Sequence, residues 1–154
     1  MSIIIKVNPV ISPDELYRFY IDNNICEKGY AKENAAKPLK NSSIIVAAYD
    51  DDKLIGIANA MFNGVEAVVT EFCLAVDIQG EGTKLKNGSM MEKDSRSVGK
   101  MIGDVLIAEL HKMGAYFISA TVYEELEKSF YTDIGFKKNH GHISYVIDTR
   151  PYVK

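Results

Sequence analysis

The sequence predicts an α/β (α+β) domain: a central mixed, mostly antiparallel sheet flanked by helices, with one parallel strand–helix–strand unit. Three observations predict it. The β-prone runs Leu54–Phe62 and Val65–Asp77 are joined by Asn63-Gly64, a strong hairpin signal that makes them antiparallel neighbours. The stretch Ser95–Met113 places Val98, Met101, Ile102, Val105, Leu106, Leu110 and Met113 at helical spacing, which buries one face. Ala115–Tyr123 then returns to an apolar run of strand length. Strand, helix, strand is a βαβ unit, with parallel strands and a right-handed crossover.

The remaining elements follow in order. Ile3–Val7 reads as a first strand. Ser12 caps a helix, Pro13 suits its first position, and Glu15 completes a capping box. Leu16, Phe19 and Tyr20 give that helix its apolar face. Ala31–Leu39 forms a second short helix that stops near Pro38. Ile44–Tyr49 is a strand, and Gly56 in the strand after it marks a bulge or a close approach. Residues 79–94 hold three glycines and little apolar patterning, which predicts a loop. Glu124–Thr132 is a short helix, and Gly135–Lys138 with His142–Asp148 makes a last hairpin. Its Tyr145, Val146 and Ile147 could build the edge of a homodimer.

At 154 residues the chain reads as one domain over 1–154. A net charge of −3 argues against general binding of nucleic acid. No apolar run approaches membrane-spanning length, and no signal peptide is visible; the expected location is cytoplasmic. Cys26 and Cys73 form no motif. His140 and His142 lack a supporting Cys or carboxylate cluster, so no metal site is predicted.

The start of the long helix is the candidate anion site. Free N–H groups and the macrodipole favour a phosphate there. Ser95 can cap it, Arg96 and Lys100 add charge, and Gly99 lets a ligand approach the backbone. Strand ends of βαβ units are where ligands bind.

These residues carry a resemblance. Arg96-Ser97-Val98-Gly99-Lys100-Met101 resembles the acyl-CoA loop [QR]-x-x-G-x-[GA] of the GCN5-related N-acetyltransferases, the GNAT superfamily. Phe130-Tyr131-Thr132-Asp133-Ile134-Gly135-Phe136 resembles its FY-x-x-x-GF segment, and Leu74-Ala75-Val76-Asp77 its L-x-V-D strand end. Met101 departs from the final Gly or Ala, the segment before Arg96 is longer than usual, and Glu124 stands where many members have Asn.

The resemblance implies an N-acetyltransferase moving an acetyl group from acetyl-CoA to a primary amine of a small molecule or peptide, by direct attack in a ternary complex. It implies that Arg96, Ser97, Val98, Gly99, Lys100 and Met101 hold the pyrophosphate. The backbone of Leu74 and Val76 would pair with the pantetheine arm as an added strand would. Tyr131 stands where the family places its general acid. Tyr17, Tyr20 and Tyr30 fall in the region that covers the acceptor. Glu71 is the candidate base; strict alternation sets it opposite Val76, and a bulge would reset that alternation. The alternative is a non-catalytic acyl-CoA-binding or interaction module on the same fold.

Overall fold

The protein is described from a computed structural model, which covers residues 2–26, 29–79, 94, 96–122 and 130–149. Ser95, the segment 80–93 and Glu124 lie outside these residues.

The elements are β1 (Ile3–Val7), α1 (Pro13–Asp22), α2 (Lys32–Asn41), β2 (Ile44–Asp50), β3 (Lys53–Phe62), β4 (Glu66–Leu74), α3 (Val98–Met113), β5 (Phe117–Ala120) and α4 (Phe130–Asp133). They build a five-stranded sheet in the order β1-β2-β3-β4-β5. Every pairing is antiparallel except β4 with β5, which is parallel. This is the mixed sheet with one βαβ unit that the sequence predicts.

α1 starts as expected, with the Glu15 amide donating to Ser12 Oγ at 3.1 Å and Pro13 in the first turn. α2 runs past Pro38 to Asn41. Pro38 lies close to the helix end, and Ser42 N–H still reaches the Pro38 carbonyl at 3.0 Å. The hairpin after β3 centres one residue later than Asn63-Gly64 suggests. The Asn63 side chain accepts from both Val65 and Glu66 amides, and Gly64 takes φ 104°.

α3 lies on one face of the sheet and buries Val98, Ile102, Leu106 and Leu110. Gly56 makes that contact close. A Cβ there would sit 2.7 Å from Ile102 Cδ1 and 2.8 Å from Leu74 Cδ2. A bulge in β3 also falls at this point, because Ala48 pairs with Gly56 and Tyr49 with Leu54. Both readings of Gly56 therefore hold. The α1 side covers the other face, so β2 and most of β3 are buried on both sides.

The terminal hairpin is a correction. Residues 135–149 turn at 140–141 but contain no strand. Alternation alone does not make a strand, since pairing requires a ladder partner. Ile143, Tyr145, Val146 and Ile147 stand exposed instead.

Candidate active site

The site is built where β4 leaves β5. Their pairing runs from Glu66 with Phe117 to Val69 with Ala120. β4 continues to Leu74, so its last residues run beyond the described pairing with β5. The departure coincides with a bulge. Ala60 pairs with Val69 but Asn59 pairs with Glu71, which leaves Thr70 as the inserted residue.

The bulge decides where Glu71 points. Ala67 and Val69 share a face with Ala60, which belongs to the α3 side with Ala58 and Gly56. Without the inserted Thr70, Glu71 would join them. With it, Phe72 and Leu74 take the α3 side and Glu71 turns to the α1 side.

There Glu71 Oε2 accepts from the Tyr20 hydroxyl at 2.6 Å and from Asn59 Nδ2 at 3.4 Å. Oε1 is buried with no hydrogen-bond partner. Burial pushes the carboxyl from 4.5 up to about 7, against the two hydrogen bonds, which pull it down. Between those values the folded state binds more protons than the unfolded state. Stability therefore falls as pH rises from 4.5 to 7, and the penalty, about 3 kcal/mol, is complete above that range. Glu71→Gln should thus raise the melting temperature at pH 8 relative to the native chain, and the difference should vanish near pH 4.5. Thermal unfolding of both chains across that range checks it.

Tyr131 sits on the opposite face. Its ring meets Phe72, Phe130 and Phe136 edge-on, with centroids 6.5, 5.1 and 5.6 Å away. Glu71 and Tyr131 therefore flank the end of β4 from its two sides.

The groups along that edge are already engaged. The Leu74 carbonyl accepts from Gln79 Nε2 at 2.8 Å, and the Val76 amide donates to Asn23 Oδ1 at 2.8 Å. A carbonyl and an amide flanking one residue are the pair that a parallel strand would use. Two side-chain amides, from the end of α1 and from the segment after β4, fill that role here.

The start of α3 shows the same pattern. Ser97, not Ser95, is its N-cap; it adopts φ 58° and its side chain makes no cap bond. Asp94 supplies the cap, with Oδ2 accepting from the Gly99 amide at 2.6 Å and Oδ1 from the Arg96 amide at 3.2 Å. A carboxylate thus occupies the position favoured for an anion. Arg96 is paired with half-buried Asp50 at 2.9 Å, and Lys100 with Asp104 one turn along the helix at 2.7 Å. Val98 is buried and Met101 half-buried. The structure thus brings the residues 96–101 together at one helix start, with both predicted cations engaged by carboxylates. The sequence reading missed Asn23, Gln79 and Asp50. It named Tyr20, as an aromatic residue in the region over the acceptor, but not its bond to Glu71.

Solved structures of the same shape exist for acetyltransferases. A GNAT-family acetyltransferase from Streptococcus pneumoniae matches with a TM-score of 0.68 and 18% identity, over 97% of this chain and 99% of that one. The glucosamine-6-phosphate N-acetyltransferase of Arabidopsis thaliana matches with a TM-score of 0.67 and 12% identity, over 96% and 100%. This fold is the GNAT fold. An aminoglycoside N-acetyltransferase solved in complex with CoA shares it too, with a TM-score of 0.64 and 13% identity over 95% of each chain. No family model and no curated protein matches the sequence. Among the described residues, no group of His, Cys, Asp or Glu could hold a metal ion, and no helix is long and apolar enough to cross a membrane.

Proposed function

We propose that the chain is an N-acetyltransferase that moves the acetyl group of acetyl-CoA to a primary amine of a small molecule or peptide, by direct attack in a ternary complex. The observation that carries this reading is the end of β4 beyond its described pairing with β5. The Leu74 carbonyl and the Val76 amide just beyond it are held by side-chain amides, and the Glu71 carboxyl lies on the same strand with one oxygen unpartnered. The donor set fits CoA: amide-binding groups on Leu74 and Val76, and an anion position at Gly99 that a carboxylate fills.

Bound acetyl-CoA supplies an activated acyl thioester. Leu74 and Val76 would hold the pantetheine amides in place of Gln79 and Asn23. The amides of Val98, Gly99, Lys100 and Met101, with Arg96 and Ser97, would hold the diphosphate in place of Asp94. A lysine-like amine is neutral in only about one molecule in a thousand near pH 7.4, so its proton must be taken. Glu71, titrating at about 7, is suited to that task. Glu71 Oε1 would take the ammonium proton and release it to solvent. As the N–C bond forms and the C–S bond breaks, Glu71 would take the second nitrogen proton while Tyr131 gives its hydroxyl proton to the leaving thiolate, and that second proton returns to the phenolate through water. The net acidity suits a cationic acceptor.

The second reading, a non-catalytic acyl-CoA binder, is favoured by Met101, which departs from the final Gly or Ala of the family's loop. One experiment separates the two. Acetyl-CoA is incubated with the protein and a polyamine, a free amino acid, an aminoglycoside or a peptide with a free amino terminus. Protein-dependent thiol release with any of them supports the enzyme. CoA binding without release supports the binder, and absence of CoA binding overturns both.

A further inference from the structure

We infer that Tyr20 is a positioning residue for Glu71: its hydroxyl, with the Asn59 amide, pins Oε2 so that Oε1 alone is left to take the acceptor's proton. The inference rests on the acyltransferase reading above, and it assigns α1 a part in the chemistry as well as in covering the acceptor.

The geometry is specific. Tyr20 is buried at 3% exposure, and its ring stands edge-on to Tyr30, with centroids 6.0 Å apart. The phenol therefore has little freedom to turn its hydroxyl elsewhere. Burial, followed by the charge of Glu71, pushes its ionisation far above the ordinary value, so it keeps its proton and donates it to Glu71. Asn59, 2% exposed, is oriented in turn. The Thr70 hydroxyl donates to Asn59 Oδ1, which leaves Nδ2 facing Glu71. The residue inserted by the bulge thus orients the amide that braces the carboxylate. Both donors reach Oε2 and none reaches Oε1. A buried carboxylate oxygen without a donor is unfavourable, and an incoming ammonium group supplies the missing one.

Among the described residues, the titratable groups around Glu71 are Tyr20 on α1 and Cys73 on β4, with Tyr30 next to Tyr20. The Cys73 thiol is pushed well up by burial and stays neutral. Among the described residues no cation neighbours the carboxylate, and the hydroxyl of Tyr20 is the main group that favours its charged form.

The test is Tyr20→Phe, which keeps the ring and removes the donor. Carbon-13 NMR follows the Glu71 carboxyl through its titration in both chains. Acetyl transfer from acetyl-CoA to the best acceptor among the four amine probes is followed over the same pH range. Loss of one hydrogen bond to a charged group should raise the Glu71 midpoint by about one pH unit. The acid limb of the pH–rate profile should move up with it, and kcat at pH 7 should fall more than KM rises. An unmoved carboxyl titration overturns the inference. So does a moved titration with an unmoved acid limb, since Tyr20 would then hold a carboxylate that is not the base. If the native chain releases no thiol with any probe, it is the acyltransferase reading that fails, whatever Tyr20→Phe does to the titration.

Discussion

Glu71→Gln should lower kcat/KM for amine acetylation by about a hundred- to ten-thousand-fold at neutral pH, the range seen when a general base is lost. CoA affinity should stay unchanged, because Glu71 lies on the α1 side of β4 and the CoA-binding groups proposed here lie along its edge and at the start of α3. Gln preserves the shape and still accepts from Tyr20. The variant is also expected to be more stable above neutral pH, since the penalty of an ionised buried carboxylate is removed. Lower activity together with higher stability separates loss of a base from loss of the fold. Steady-state kinetics and thermal unfolding on the same preparation check both.

Ile102→Ala should cost about 2–5 kcal/mol of stability, which in a domain of this size lowers the melting temperature by roughly 10 °C. Ile102 is fully buried at the interface of α3 with the sheet. Its Cδ1 lies over Gly56, where even a single Cβ would approach to 2.7 Å. The cavity left by Ala cannot be filled from the Gly56 side, because no side chain exists there. Since Ile102 is one turn from the start of α3, the variant should also weaken CoA binding by loosening Val98 and Gly99. Differential scanning calorimetry with and without CoA measures both effects.

Much of this architecture is legible in local patterns. Apolar spacing marks α3, and the β-prone runs on either side of Asn63-Gly64 mark β3 and β4. The bulge at Thr70 is harder to read, because one inserted residue leaves no signature in composition. Its only trace is that polar Thr70 and Glu71 stand together where alternation from Ala67 and Val69 would put an apolar side chain. The cap of α3 depends on backbone angles: Ser97 takes a left-handed φ, and Asp94 does the capping. The segment 142–148 alternates like a strand and yet finds no ladder, because strand pairing is a tertiary event. Asn23 and Gln79 reach the β4 edge from different parts of the chain, and no local motif announces such contacts.

The central claim is that the β4 edge and the start of α3 together receive CoA, displacing Asn23, Gln79 and Asp94. The most direct measurement is a nitrogen-15 amide NMR titration with CoA. The Val76 and Gly99 amides, which now donate to Asn23 and Asp94, should move together and saturate at one equivalent. If CoA at millimolar concentration leaves both signals where they are, the account is wrong.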